Sequence, residues 1–360
     1  MQGANLKPQR QGHASLVAVY SLTHFLVDFA CAFFMFRNIL GTPNAQLGFL
    51  LYNFCAFALQ MPLGLIADKC NRNYLFAIIG CALVAGAFAL PTVPLLAVLV
   101  LGCGNALFHL GGGIDVLNIS TRKADALGVF VSPGAMGVFL GALLGKGLVA
   151  LAIPLVLILG CAIALIIIMR VSLGRAYPQN AIFSLPGDLS PRMLLAVIFL
   201  FLVVCLRSFA GLSLSFSWKG TALLGFLLVC AVVLGKTFGG FAADKWGAAR
   251  VAIISLGAAA VLFLVSFLPV AGIAAIFLFN MTMPITLWAM ARIFPGAKGF
   301  SFGLLTFGLF LGYLPSYLGI AVFTDVFWLY TLVSLISLVL IWLGIKKAGQ
   351  YWSGHVQHLE

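Results

Sequence analysis

Apolar runs of about twenty residues recur from Ser15 to Ile345, separated by short polar or turn-forming links. A helix needs roughly 20 residues to cross the hydrocarbon core of a bilayer, where unpaired backbone groups find no water. The repetition therefore specifies an integral membrane protein before any single residue is read. Composition agrees: 63% of the 360 residues are hydrophobic and 8% are charged, against roughly 25% charged in soluble domains. The first run follows Lys7 and Arg10, as a signal peptide would, but it contains His24 and Asp28 and lacks a small-residue cleavage site. It reads as a retained first helix.

Cutting at charge clusters and at Pro, Gly and Asn turns gives twelve spans: 15–36, 45–67, 73–91, 94–118, 126–148, 151–169, 193–216, 220–243, 250–268, 271–291, 299–321 and 324–345. With those cuts, Lys7, Arg10, Lys69, Arg72, Arg122, Lys123, Arg170, Arg175, Arg192, Lys245, Arg250, Arg292, Lys298, Lys346 and Lys347 fall on one side. The other side receives little beyond Arg37, Lys219 and Asp325. The basic side is cytoplasmic by the positive-inside rule, so both termini are expected there, in a multi-pass protein of a bacterial cytoplasmic membrane. The net charge of +12 is then a topological signal with contact to lipid headgroups as a by-product, and nucleic-acid binding is excluded. The eight Cys lie mostly singly inside apolar runs without a CxxC pair, which marks small core residues and predicts no disulfide, metal site or cofactor. The final Leu359-Glu360 is set aside as an appended remnant.

The chain repeats itself. "GLIADKCNR" (Gly64 to Arg72) and "GFAADKWGA" (Gly240 to Ala248) follow apolar runs at a spacing of 176 residues, and the same shift lays Arg122 on Lys298 and span one on span seven. Charges are costly in a membrane, so matched charges weigh more than matched Gly and Ala. The expected fold is all-α: twelve transmembrane helices in two pseudo-symmetric six-helix bundles, residues 1–169 and 193–360, joined by a cytoplasmic linker at 170–192. Gly64, Ala67, Gly240 and Ala243 allow close approach of a neighbouring helix. Asp68 and Asp244 are placed to accept hydrogen bonds from backbone N–H groups at a neighbouring helix start, with Lys69, Arg72, Lys245 and Arg250 at the headgroups.

The two stretches resemble the loop signature of the major facilitator superfamily, which runs Gly, three residues, Asp, a basic residue, another residue, Gly, then basic residues. Gly64, Asp68, Lys69 and Arg72 carry it in the first half, and Gly240, Asp244, Lys245, Gly247 and Arg250 in the second. Asn71 stands where the family has Gly and tolerates the left-handed backbone. The resemblance implies that these loops act as a gate whose ionic contacts break and reform as the halves rock. "SLTHFLVDFACAFF" at Ser21, "ALFHLGGG" at Ala106 and "SPGAMGVFLGALLG" at Ser132 are loosely similar to the drug-efflux branch that includes fosmidomycin-resistance-type proteins. Ser132 precedes Pro133 where that branch's antiporters carry Gly before Pro.

Few ionisable residues lie inside the spans. His24 and Asp28 are four apart on one helical face, either a coupling or substrate site or a structural ion pair. Arg207 is the repeat equivalent of Cys31, at a depth similar to Asp28 and across a central cavity; it must face an anion, water or Asp28. Lys236 is the equivalent of Gln60, whereas Lys146 near an outer end is expected to snorkel. His109 is a cavity candidate, and Asp115 is expected to pair with Arg122 or a basic residue of the adjacent helix. Pro133, Pro284 and Pro315 mark helix interruptions. Three basic or imidazole groups against one carboxylate favour an organic anion over a cation as solute.

No Gly-rich phosphate loop, HExxH or GxSxG occurs, so the chain is expected not to be an enzyme. The expected function is secondary active transport of a small organic, anionic solute by alternating access, coupled to protons or another ion. His24, Asp28, His109, Arg207 and Lys236 are the substrate or coupling residues, and the chain is expected to be monomeric. Efflux of lipophilic compounds by antiport and a non-transporting receptor-like or scaffold role are the alternatives.

Overall fold

The computed structural model describes residues 6–147, 149–186, 190–320 and 322–356; the terminal Leu359 and Glu360 lie outside them. Among the described residues, ten helices are long and apolar enough to cross a membrane, and two shorter apolar helices accompany them. In chain order they are α1 (Gly12–Ile39), α2 (Ala45–Cys70), α3 (Asn73–Ala87), α4 (Pro94–Ile119), α5 (Asp125–Lys146), α6 (Ala152–Ala176), α7 (Pro191–Ser213), α8 (Ala222–Trp246), α9 (Ala248–Leu264), α10 (Pro269–Ile293), α11 (Lys298–Tyr317) and α12 (Phe327–Gly349). The short helices are α3 and α9, repeat partners under the shift of 176. The architecture is the all-α twelve-helix bundle that the apolar runs call for, with a two-residue parallel bridge added between Leu214–Ser215 and Phe323–Thr324.

Large apolar side chains face outward along the helices, among them Ile153, Leu157, Ile168 and Val171 on α6 and Val270 on α10. A water-soluble chain of this size would bury such a surface, whereas lipid accepts it.

The described residues fall into two compact units. Unit 1 takes Met1–Ser120, Val129–Phe183 and Lys298–Gly303; unit 2 takes Thr121–Gly128, Ser184–Ala297 and Leu304–Glu360. In unit 1, α1 lies along α5 at backbone contact distance. Gly137 and Gly141 sit directly on the carbonyl oxygens of Phe25 and Phe29, so a Cβ at either position has no room. In lipid, where apolar burial gives little driving force between helices, such close packing supplies much of the attraction. In unit 2, α12 packs on α7 and α9, and α8 packs on α10. Gly312 of α11 rests on the Cys205 carbonyl of α7, as Gly141 of α5 rests on α1.

Both signature loops end a helix and cap another. Asn71 closes α2 in the left-handed conformation, with φ 48° and ψ 40°, and Gly247 closes α8 at φ 90°. Within unit 1, Asp68 accepts from the backbone N–H groups of Gly299 at 2.7 Å and Phe300 at 2.9 Å. Within unit 2, Asp244 accepts from Ala124 at 2.7 Å and Asp125 at 3.0 Å. The two caps repeat to within one residue of the shift of 176. Gly64 and Gly240 lie against the Gly299 and Ala124 carbonyls respectively, leaving no space for a side chain.

A carboxylate on free N–H groups at a helix start is stabilised by hydrogen bonds and by the helix dipole. Asp68 is buried and Asp244 exposed, so water replaces the second cap more readily. Asp68→Ala is expected to cost about 2 kcal/mol and Asp244→Ala about 1 kcal/mol or less, in that order, in detergent unfolding of the purified variants.

The three prolines behave differently. Pro133 opens the second segment of α5 after a break at Ser132, and Pro284 lies just beyond the break at Met281 in α10. Pro315 stays inside α11 near its end. Two wide turns, Met35–Ile39 in α1 and Phe54–Ala58 in α2, have no proline. Such local expansions reorient the residues that follow.

Candidate functional site

Among the described residues, three buried clusters bring ionisable side chains together with polar partners, two in unit 1 and one in unit 2. The first is built on matching four-residue spacings. His24 and Asp28 share a face of α1, and Asn105 and His109 share a face of α4, so two helix faces supply four polar groups to one spot. His24 Nε2 lies 3.2 Å from Asp28 Oδ2, and His109 Nε2 lies 3.6 Å from Asp28 Oδ1. The two Nε2 atoms are 2.9 Å apart, and Asn105 donates its amide to Asp28 Oδ1 at 3.0 Å.

The outer nitrogens set the tautomers. His24 Nδ1 is 2.7 Å from the Phe130 carbonyl, beside the break in α5, and His109 Nδ1 is 2.8 Å from the Asn105 carbonyl. A carbonyl only accepts, so both Nδ1 atoms carry hydrogen, and Nε2 is the ring atom each His turns inward. Two imidazole Nε2 atoms and a carboxylate thus converge at hydrogen-bonding distance, and a shared proton or another cation among them completes the set. With side-chain exposures of 8% for His24, 14% for Asp28 and 11% for His109, the cluster retains a small opening. Gly134 faces it: a Cβ there would collide with Asp28 Oδ2 and His24 Nε2.

The second cluster corrects an expectation. Asp115 does not pair with Arg122; its partners are Tyr20 Oη at 2.8 Å, Asn73 Nδ2 at 2.8 Å and the Tyr177 hydroxyl. Tyr177 comes from the segment after α6, and burial raises its hydroxyl above the ordinary phenol value, so it stays protonated and donates. The same segment is pinned further by Asn180, whose amide reaches the Ala67 carbonyl, and by Arg170, whose guanidinium lies over the Tyr74 and Tyr177 rings. Asn180 N–H donates to Asn71 of the first signature loop at 2.8 Å. Lys69 of that loop lies over the Phe183 ring, and Arg72 lines a polar recess with Arg170. In unit 2, Lys245 lies over Trp246, and Arg250 lines a shallow apolar recess beside it.

The third cluster centres on Arg207 of α7. Its Nη2 donates to Thr282 at 2.9 Å and to Thr286 at 3.4 Å, both on α10, while its Nε has no hydrogen-bond partner. The side chain borders a cavity of about 260 Å³ whose lining includes Lys219, Asn280, Phe216 and Tyr330. Two cations and no carboxylate line it. Lys236, half-buried on α8, does not. Among the five residues singled out from sequence, the structure thus joins His24, Asp28 and His109, gives Arg207 a separate cavity, and keeps Lys236 apart from that cavity.

Sequence reasoning missed Asn105, Tyr20, Tyr177 and Lys219. Tyr20 was detectable, since it precedes His24 by four residues as His24 precedes Asp28. Lys219 stood in the sequence only as an isolated loop charge, and nothing local announces Tyr177.

No protein-family model matches the sequence, and no curated protein matches it. Solved structures do match in fold. The Major Facilitator Superfamily transporter FucP in the outward conformation is 15% identical, with 93% of this chain and 98% of that chain covered and a TM-score of 0.63. The human organic anion transporter MFSD10 is 16% identical, with 92% and 99% covered and a TM-score of 0.62. A bacterial homologue of the iron transporter ferroportin in an outward-facing state is 13% identical, with 94% and 99% covered and a TM-score of 0.57. The chain therefore has the fold of the major facilitator superfamily. None of these likenesses singles out a drug-efflux branch.

Proposed function

We propose that the protein is a secondary active transporter that moves a small organic anion by alternating access, driven by a gradient of protons or another cation. The observation that carries the reading is the Arg207 cavity. Arg207 is 9% exposed and cannot shed its charge, its Nε is unpartnered, and Lys219 adds a second positive charge to the same space. A carboxylate or similar anion bound there would pair with the two positive charges, and Phe216 and Tyr330 offer apolar walls to the rest of the solute. The His24–Asp28–His109 cluster is the coupling-cation site, and Asp68 and Asp244, with Lys69, Arg72, Lys245 and Arg250, form a gate whose caps open and close during the cycle. The positive-inside pattern puts both termini in the cytoplasm, in a membrane of bacterial type.

A thermal-shift screen of the purified protein over organic anions, lipophilic drugs and organic cations tests the solute class. Organic anions are expected to raise the unfolding temperature, and Arg207→Ala is expected to weaken their binding by about 10-fold or more. Stabilisation by lipophilic cations alone, or unchanged anion affinity in the variant, would remove Arg207 from the site.

A further inference from the structure

We propose that His24 Nε2, His109 Nε2 and the Asp28 carboxylate bind one divalent first-row transition-metal cation of the Zn²⁺ or Co²⁺ kind. This rests on the reading of the cluster as a cation site and names the cation. Each His residue and Asp28 offers one ligand atom, and these atoms lie within 4.8 Å of one another. The two Nε2 atoms are 2.9 Å apart, His24 Nε2 is 3.2 Å from Asp28 Oδ2 and His109 Nε2 is 3.6 Å from the other oxygen, Oδ1. Metal–ligand bonds of roughly 2.0–2.1 Å in tetrahedral geometry put ligand atoms about 3.3 Å apart, so small side-chain shifts close the set around an ion.

The donor chemistry selects the class. Two imidazole nitrogens and one carboxylate oxygen suit borderline transition metals, whereas Mg²⁺ and Ca²⁺ take oxygen ligands. The surroundings have the form of a metal site's outer layer. Each His donates its far N–H to a backbone carbonyl, and Asn105 donates to the carboxylate, which fixes ring orientation and tautomer before any ion arrives. Both Nδ1 hydrogens are committed to backbone carbonyls, so Nε2 is the ring atom left to face Asp28, and a metal ion would stand where a proton otherwise joins the three groups. Gly134 packs its backbone against this face, where even a Cβ would collide with Asp28 Oδ2 and His24 Nε2, so a side chain at position 134 would displace the ligand atoms or the ion.

The test is titration of the tag-free, detergent-purified protein with Co²⁺, read by visible absorption, and with Zn²⁺, read by calorimetry. One saturable equivalent is expected, without the thiolate charge-transfer bands that cysteine ligands give. His24→Gln and His109→Gln are each expected to weaken it by more than about 100-fold, and Cys70→Ser, which removes an exposed thiol, is expected to leave it unchanged. Gly134→Ala keeps all three ligands and is expected to weaken binding about 10-fold, which covers the case in which a His variant fails to fold. No saturable binding by the folded protein, or full affinity in Gly134→Ala and in whichever His variants fold, overturns the metal assignment. Absent metal binding with intact proton-driven flux rejects the metal and leaves the coupling reading standing. Metal binding without flux under any imposed gradient retains the metal and rejects coupling.

Discussion

Replacement of Asp28 by Asn is expected to abolish gradient-driven solute accumulation while solute binding at Arg207 persists. Asn has nearly the shape of Asp and still offers an oxygen to Asn105, so the packing of α1 against α4 is kept. What disappears is the one carboxylate that, among the described residues, faces the two inward-turned Nε2 atoms. A unit charge about 4 Å away contributes on the order of 4 kcal/mol at an effective dielectric of about 20. Cation occupancy therefore falls by about a thousandfold, and a cycle that needs the cation stalls. Reconstituted vesicles with an imposed cation gradient measure this directly. Accumulation by the variant equal to wild type would remove the cluster from the coupling step, and loss of solute binding as well would give Asp28 a structural role instead.

The second large effect is on stability. Gly141→Leu is expected to destabilise the protein by about 3 kcal/mol or more, because its first side-chain carbon collides with the Phe29 carbonyl of α1, and backbone moves aside only with the whole helix. Gly160→Leu on α6 is the comparison: nothing lies within 4 Å of a Cβ there, and the change is expected to cost less than about 0.5 kcal/mol. Thermal unfolding in one detergent separates the pair, with a fall of roughly 6–12 °C for the first and almost none for the second. Equal tolerance at both positions would mean that the α1–α5 crossing is looser than its backbone contacts indicate.

These effects show what was legible in the sequence. The apolar runs and charge placement located twelve helices because a bilayer tolerates few charges and demands closed backbone hydrogen bonding, so the pattern is local and strong. The pairing of His24 with Asp28 was legible for the same reason: four residues make one helical turn. His109 was visible as a cavity candidate, but its contact with the pair was not, since it lies 85 positions from His24 and only the packing of α4 on α1 joins them. The tautomers depend on the Phe130 and Asn105 carbonyls, which no sequence pattern advertises. Asp115 was misassigned because charge suggests charge, while a buried carboxylate is satisfied as well by two hydroxyls and an amide, here partly from a segment 62 positions away. Arg207 was visible as a costly buried cation, yet its cavity depends on Asn280 and Tyr330 arriving from distant parts of the chain.

Flux by the purified protein in liposomes tests the central claim most directly. With the organic anion that most raises its thermal stability, the protein is expected to accumulate solute when an inward or an outward cation gradient is imposed. The accumulation is expected to collapse when an ionophore dissipates that gradient. Saturable binding of the same anion with no movement across the vesicle membrane, under gradients of either direction, would contradict transport and identify a receptor-like protein that keeps the fold without turnover.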